Sequence, residues 1–239
     1  MISEVFNTDC LDYMRSLPDK HFDLAIADPP YGISAVSVEP WKQSVCNPRG
    51  KRLRNRIRQG SGKLKNRAIQ NMDSDFDFSP PTDEFFQELF RISKNQIIWG
   101  GNYFHLPPTR CIICWDKEQP WENFSQFELA WTSFDHPAAM FRHRNTGINE
   151  QSHIHPTQKP VELYAYLLRK FAKPSDRIFD PMMGSGSSRI AAHKLGFDFT
   201  GCEIDKEYFD KSCERFDREC NGIYTLKDGT KVQQQKLFD

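Results

Sequence analysis

Apolar positions along the chain fall into short runs broken by turn residues, and the runs alternate between two periods. Phe22-Asp23-Leu24-Ala25-Ile26-Ala27, Gln96-Ile97-Ile98-Trp99, Arg177-Ile178-Phe179 and Phe199 to Glu203 are too short for helices and almost uninterrupted, as strands covered on both faces are. Cys111 to Trp115 and Phe127 to Trp131 are two more strand candidates, separated by a polar loop with Pro120 and Trp121. Helical spacing appears between them. Thr82 caps a run with Phe85, Phe86, Leu89 and Phe90 on one face, and Pro160 opens one with Val161, Tyr164, Leu167, Leu168 and Phe171. Ser187 to Leu195 and the charged stretch Lys206 to Cys220 read as further helices, and Tyr224 to Val232 around Asp228-Gly229 as a terminal hairpin. Strands alternating with helices predict an α/β fold with a mostly parallel sheet flanked on both faces, and the length fits one domain.

Composition adds three constraints. With 38% hydrophobic residues the chain fills a core without disulfides or metal. Its start lacks a secretory pattern and no stretch reaches membrane-span length, which predicts an intracellular protein with no membrane contact. The seven cysteines are odd in number and scattered, so free thiols are expected. Cys111 and Cys114 form a C-x-x-C within a strand, where residues three apart face opposite ways, and no second pair sits at ligand spacing, so no metal is assigned. The formal net charge of zero conceals segregation: from Pro40 to Met72 there is no acidic residue, yet Lys42, Arg49, Lys51, Arg52, Arg54, Arg56, Arg58, Lys63, Lys65 and Arg67 lie there. Phosphate binding follows local potential, so this window is a candidate nucleic-acid contact, a solvated loop being the alternative.

Two segments carry candidate chemistry. Asp28-Pro29-Pro30-Tyr31 follows a predicted strand, the position at which open α/β sheets bind ligands. The exocyclic amine of adenine or cytosine is a poor nucleophile because its lone pair is delocalised into the ring. Acceptors for both amine hydrogens favour the electron-rich, pyramidal nitrogen, and the Asp28 carboxylate and the stiffened Pro29 carbonyl suit that task. Tyr31 offers a flat surface for a base taken out of a duplex. A plain strand-ending turn uses similar residues; the aromatic directly after two prolines sets this one apart. The second segment is Phe179-Asp180-Pro181-Met182-Met183-Gly184-Ser185-Gly186-Ser187-Ser188, a strand, a small-residue loop and a helix start. Gly184 and Gly186 permit close backbone approach, and the helix amides favour an anionic group. Glu203, about 20 residues on, ends the next strand where a carboxylate takes ribose hydroxyls in nucleoside-binding folds.

Together and in this order the segments resemble the β class of S-adenosylmethionine-dependent DNA amino-methyltransferases, the adenine-N6 and cytosine-N4 methylases, in which D-P-P-Y comes early and the cofactor motif late. The resemblance covers nearly the whole chain. Asn7-Thr8-Asp9-Cys10-Leu11 resembles the family's start, Ile97 to Phe104 the strand and loop after the catalytic motif, and His155-Pro156-Thr157-Gln158-Lys159-Pro160 its H-P-T-x-K-P. It implies a Rossmann-like, seven-stranded methyltransferase sheet with circularly permuted motif order in a single domain. It also implies catalysis by Asp28, Pro29, Pro30 and Tyr31, and S-adenosylmethionine binding by Asp9, Cys10, Thr157, Lys159, Asp180, Gly184, Gly186 and Glu203. Met182-Met183 departs from the usual Phe and small residue, for which repacking without loss of activity is expected. Asp at position 28 leans towards adenine, since cytosine-N4 enzymes more often have Ser there, and no Pro-Cys step supports chemistry at the ring carbon.

Further expectations complete the reading. Double-stranded DNA is the substrate, contacted through the insertion at about 40–72 by Arg49, Lys51, Arg52, Arg54, Arg56 and Arg58. A short target-recognition segment spans about 136–153 and includes Arg142 and Arg144. A restriction-modification setting in the cytoplasm of a bacterial or phage-infected cell, and a homodimer, belong to the same reading. In the tail at about 232–239, Gln234, Leu237 and Phe238 resemble a Q-x-x-L-F peptide for the replication sliding clamp, a frayed polar tail being the alternative. Cytosine-N4 methylation, a catalytically silent DNA-binding relative and an RNA or protein substrate are the rival functions. Neutralising Arg52, Arg54, Arg56 and Arg58 should flatten the salt dependence of DNA binding, measured by titration at several ionic strengths; an unchanged slope makes the window a bystander.

Overall fold

The chain enters through a strand that the apolar pattern does not announce. β1 (Ser3–Asn7) has little buried surface and leads directly into α1 (Cys10–Arg15) and the central strand β2 (Phe22–Ala27). Then come α2 (Asp83–Ile92), β3 (Ser93–Trp99), a 3-10 turn over Gly101–Tyr103, β4 (Ile112–Asp116), β5 (Phe127–Thr132) and β6 (Ala139–Arg142). The last part holds α3 (Val161–Phe171), β7 (Arg177–Asp180), α4 (Ser187–Leu195), β8 (Asp198–Glu203), α5 (Lys206–Phe216) with a π turn over Asp217–Asn221, and a hairpin of β9 (Ile223–Thr225) and β10 (Lys231–Gln233). This computed structural model describes residues 1–32, 80–119, 125–144, 154–155, 157–226 and 228–233. They divide into two compact units, Met1–Pro29 with Thr82–Asp239 and, separately, Pro30–Pro81.

In the larger unit one sheet of eight strands runs in the order β1-β8-β7-β2-β3-β5-β4-β6. The family resemblance implies seven; β1 and β6, both short and half-exposed, are the edge strands that the sequence pattern passes over. Only β5 runs against the others among these eight, pairing antiparallel with β3 and β4. β2 is buried along almost its whole length because strands flank it and helices cover it. Phe22 stacks on Phe179 of neighbouring β7 with ring centroids 4.6 Å apart.

One helical layer is α1 with α2. Phe85, Phe86, Leu89 and Ile92 of α2 and Met14 of α1 pack on Ala25, Ala27 and Ile98 of the sheet. Thr82 caps α2 as predicted, its hydroxyl accepting from the Phe85 N–H. Arg91 joins the two helices, donating to the carbonyls of Leu17 and Met14 at 2.8 and 2.9 Å. α3 and α4 pack on each other and contribute nothing to that cluster, forming the second layer. Among the described residues no helix is long and apolar enough to cross a membrane.

In the smaller unit, Gly32 takes a φ of +69° and lies against Pro80: a Cβ added to it would stand 2.9 Å from the Pro80 Cδ. The two ends of the 33–79 insertion therefore meet.

After β3 the backbone must pass tightly under β5. A Cβ on Gly101 would lie 2.4 Å from the Trp131 Cβ and 2.9 Å from its backbone nitrogen, so no side chain fits. Gly101→Ala should lower stability by about 1–3 kcal/mol through overpacking, read from urea-unfolding midpoints, and an unchanged midpoint would contradict this packing.

Candidate active site

β2 and β7 are adjacent and parallel, so Asp28, just beyond the end of β2, and Asp180, which ends β7, emerge on the same edge of the sheet. β1 and β8 end there too, with Asn7 opposite Glu203. Asn7 Nδ2 donates to the carbonyls of Glu203 and Ile204 at 2.8 and 3.1 Å, which draws the following Thr8-Asp9-Cys10 turn to this edge. Asp28 and the Asp180 loop therefore emerge on one edge, at the carboxyl ends of the strands, where open α/β sheets bind ligands.

Each cofactor candidate has a defined place. Asp9 is exposed and caps α1, its Oδ1 accepting from the N–H groups of Leu11 and Asp12 at 2.7 and 3.2 Å. Burial and the nearby Asp9 charge push the Cys10 thiol up to about 12, so it is no nucleophile at neutral pH. Gly184 and Gly186 sit at φ of +51° and +74°, a left-handed region open to glycine. The Gly184 N–H donates to Glu203 Oε2 at 2.8 Å, and the Asp205 N–H to Oε1 at 2.9 Å. Burial raises the Glu203 pKa while these backbone donors resist the rise. Thr157 donates its N–H to His155 Nδ1 at 3.3 Å. The His155 ring lies edge-on to Tyr208 at 4.5 Å and beside Gly184; burial and Lys159 lower its pKa to about 4, keeping it neutral.

Asp180 is fully enclosed. It accepts from the Met182 N–H at 3.0 Å and the Ser188 hydroxyl at 2.5 Å. Burial is the main cause that lifts its pKa to about 7, with the charges of Asp28 and Glu203 acting in the same direction.

Lys159, assigned to the cofactor by resemblance, directs its ammonium elsewhere. Its Nζ donates to Asp28 Oδ2 and lies 3.2 Å from Glu128 Oε2, with the Trp99 ring 5.4 Å away. Burial opposes its charge, but Asp28 and Glu128 outweigh that and raise its pKa. Burial would likewise raise the Glu128 pKa, and Lys159 and Lys117 together bring it below the ordinary range. Glu128 was not among the sequence candidates. The one visible signal is a carboxylate inside an otherwise apolar strand, Phe127-Glu128-Leu129-Ala130-Trp131.

Pro29 is buried at the end of the larger unit, whereas Pro30 and Tyr31 belong to the smaller one. Arg142 and Arg144 are exposed at the end of β6, with Arg142 3.5 Å from Asp116. That places them four strands from β2, roughly 19 Å along the same edge. Arg49, Lys51, Arg52, Arg54, Arg56, Arg58, residues 145–153, Gln234, Leu237 and Phe238 lie outside the described residues.

The N6_N4_Mtase model, described as DNA methylase, matches residues 114–214, from β4 into α5, a stretch holding Glu128, Lys159, Asp180 and Glu203. This part of the chain is similar to the DNA methylase family. The type II methyltransferase M.BglII of Bacillus subtilis is 23% identical to this chain, over 87% of it and 67% of the relative. Two solved structures share its fold. TTHA0409 of Thermus thermophilus, a putative DNA modification methylase complexed with S-adenosyl-L-methionine, aligns with TM-score 0.53 at 17% identity over 92% of this chain and 97% of its own. The cytosine-N4-specific PvuII DNA methyltransferase aligns with TM-score 0.57 at 15% identity over 89% and 85%.

The Asp180 carboxyl gives a test. Its folded pKa lies above its unfolded one, so the native chain binds the extra proton, and the stability this brings at low pH is lost as pH rises from about 4 through about 7. Asp180→Asn lacks this titration. The wild type should therefore lose stability relative to Asp180→Asn between pH 4 and 8 in thermal melts, and a gap constant with pH would refute the buried, protonatable carboxyl.

Proposed function

We propose that the chain transfers a methyl group from S-adenosylmethionine to the exocyclic N6 amine of adenine in DNA. The observation that carries this reading is the adjacency of β2 and β7, which sets the proline-locked Asp28 next to the glycine loop and Glu203. The residues suit this cofactor. Glu203 is held against the loop by two backbone N–H bonds and keeps further lone pairs for ribose hydroxyls, and Gly184 and Gly186 take the positive φ that so tight a loop requires. Asp9, Thr157 and Asp180 border the same edge. When bound, S-adenosylmethionine supplies an electrophilic methyl group on a sulfonium.

The chain's own groups then do the aligning. Asp28 Oδ and the Pro29 carbonyl accept the two amine hydrogens, turning the nitrogen lone pair out of conjugation, and Tyr31 stacks on the extruded base. Lys159 donates to Asp28 Oδ2 and so fixes the direction of that carboxylate. Positioning and electrostatics carry the rate, and no covalent enzyme intermediate is required. Arg142 and Arg144 supply phosphate or base-edge contacts beyond the crevice, and the basic window adds sequence-independent attraction. Asp at position 28 supports adenine, by the family resemblance. Likeness to the cytosine-N4-specific PvuII enzyme supports the second reading, cytosine N4.

Asp28→Ala should abolish transfer of labelled methyl to DNA while S-adenosylmethionine binding, followed by calorimetry, persists. Loss of that binding would show that the two sites were interchanged. Nucleoside analysis of DNA modified by the wild type should return N6-methyladenine; N4-methylcytosine would replace the first reading with the second, and no modification at all with salt-dependent DNA binding would make the chain a silent relative.

A further inference from the structure

We propose that Glu128 is a positioning residue of the catalytic centre, fixing the Asp28 carboxylate by sharing the Lys159 ammonium with it. This rests on the reading of Asp28 as the acceptor of the substrate amine.

The geometry is a row of alternating charge. Asp28 at the end of β2, Lys159 before α3, Glu128 on β5 and Lys117 after β4 follow one another, with Glu128 Oε2 3.2 Å from Lys159 Nζ and Glu128 Oε1 2.5 Å from Lys117 Nζ. Two indoles, in edge contact at 6.4 Å, lie under the row. Trp99 is 5.4 Å from Lys159 Nζ and Trp115 is 5.2 Å from Lys117 Nζ. β5 runs antiparallel to its neighbours, so its first residues lie beside the last residues of β3 and β4, and Glu128 faces Trp115 in register. A carboxylate at the start of an ordinary parallel strand would be at the opposite edge.

The chemistry explains the arrangement. A lysine ammonium is a point charge on a flexible stem, and a single carboxylate partner leaves its direction loose. Here a second carboxylate, Glu128 on β5, stands 3.2 Å from the ammonium that donates to Asp28. Lys159 is 4% exposed and Asp28 17%, so water screens their contact weakly. A buried ion pair adds little net stability because desolvation offsets attraction, which leaves orientation of Asp28 as the gain from so enclosed a row. Among the described residues, Tyr164 of α3, His155, and Asp180 of β7 also face it.

The test uses the full chain and the pH dependence of methylation for the wild type, Glu128→Gln, Lys159→Met and the double variant, with thermal melts confirming folding. Glu128→Gln should lower kcat by roughly ten- to a hundredfold, the penalty of misplacing a reacting group. Lys159→Met leaves two carboxylates facing each other, and should move the acid limb of kcat/KM up by about one to three pH units. In that background Glu128→Gln should have the opposite effect, raising the rate and returning the limb towards wild type. Equal losses from Glu128→Gln in both backgrounds, with no movement of the limb, would overturn the proposal and leave Glu128 a packing residue. If Lys159→Met does not fold, Glu128→Gln alone decides: loss of a negative neighbour should shift its acid limb to lower pH, and a limb that stays put overturns the proposal. Full methylation by Asp28→Ala would instead overturn the underlying reading of Asp28, whatever the Glu128 variants do.

Discussion

Negative charge is crowded along the carboxyl edge of the sheet, and the way it is compensated sets the character of the site. Asp28, Asp180 and Glu203 end neighbouring strands, and each is balanced differently. Asp28 has a lysine ammonium, Glu203 has backbone N–H groups of the glycine loop and of Asp205, and Asp180 has a hydroxyl, an N–H and a pKa near neutrality. Three acids on one edge thereby differ in their surroundings: one paired with an ammonium, one held by backbone N–H groups, and one enclosed with its pKa near neutrality. Without those separate balances like charges this close could not all ionise.

Topology makes the crowding unavoidable. A parallel sheet sends every strand's last residue to one side, and the central pair β2 and β7 joins the two ends of the chain there. The reversed β5 contributes the one thing a parallel strand cannot, a residue from the beginning of a strand at the edge where the others finish. Glu128 reaches Lys159 by that route.

How much of this could be read in advance depended on the kind of signal. β2, β3, β5, β7 and β8 were legible because each is a compact apolar run, and α2 because Thr82 and a clear apolar face announce it. β1 and β6 were not, since exposed edge strands have no continuous buried face to leave a pattern. The motifs were legible as local residue sets, and Asp28, Asp180 and Glu203 from them lie at one edge of the sheet. The partner of Lys159 was not legible. Its neighbours in sequence point to a cofactor loop, whereas its ammonium lies on residues far away along the chain. Contacts of that kind follow from strand order and direction, which periodicity does not encode.

The meeting of Gly32 with Pro80 has a different implication. Chain between two touching points enters and leaves through a single doorway, so its length can grow or shrink with only a slow rise in closure entropy. Changes in that length need not disturb the strand pairing of the eight-stranded sheet.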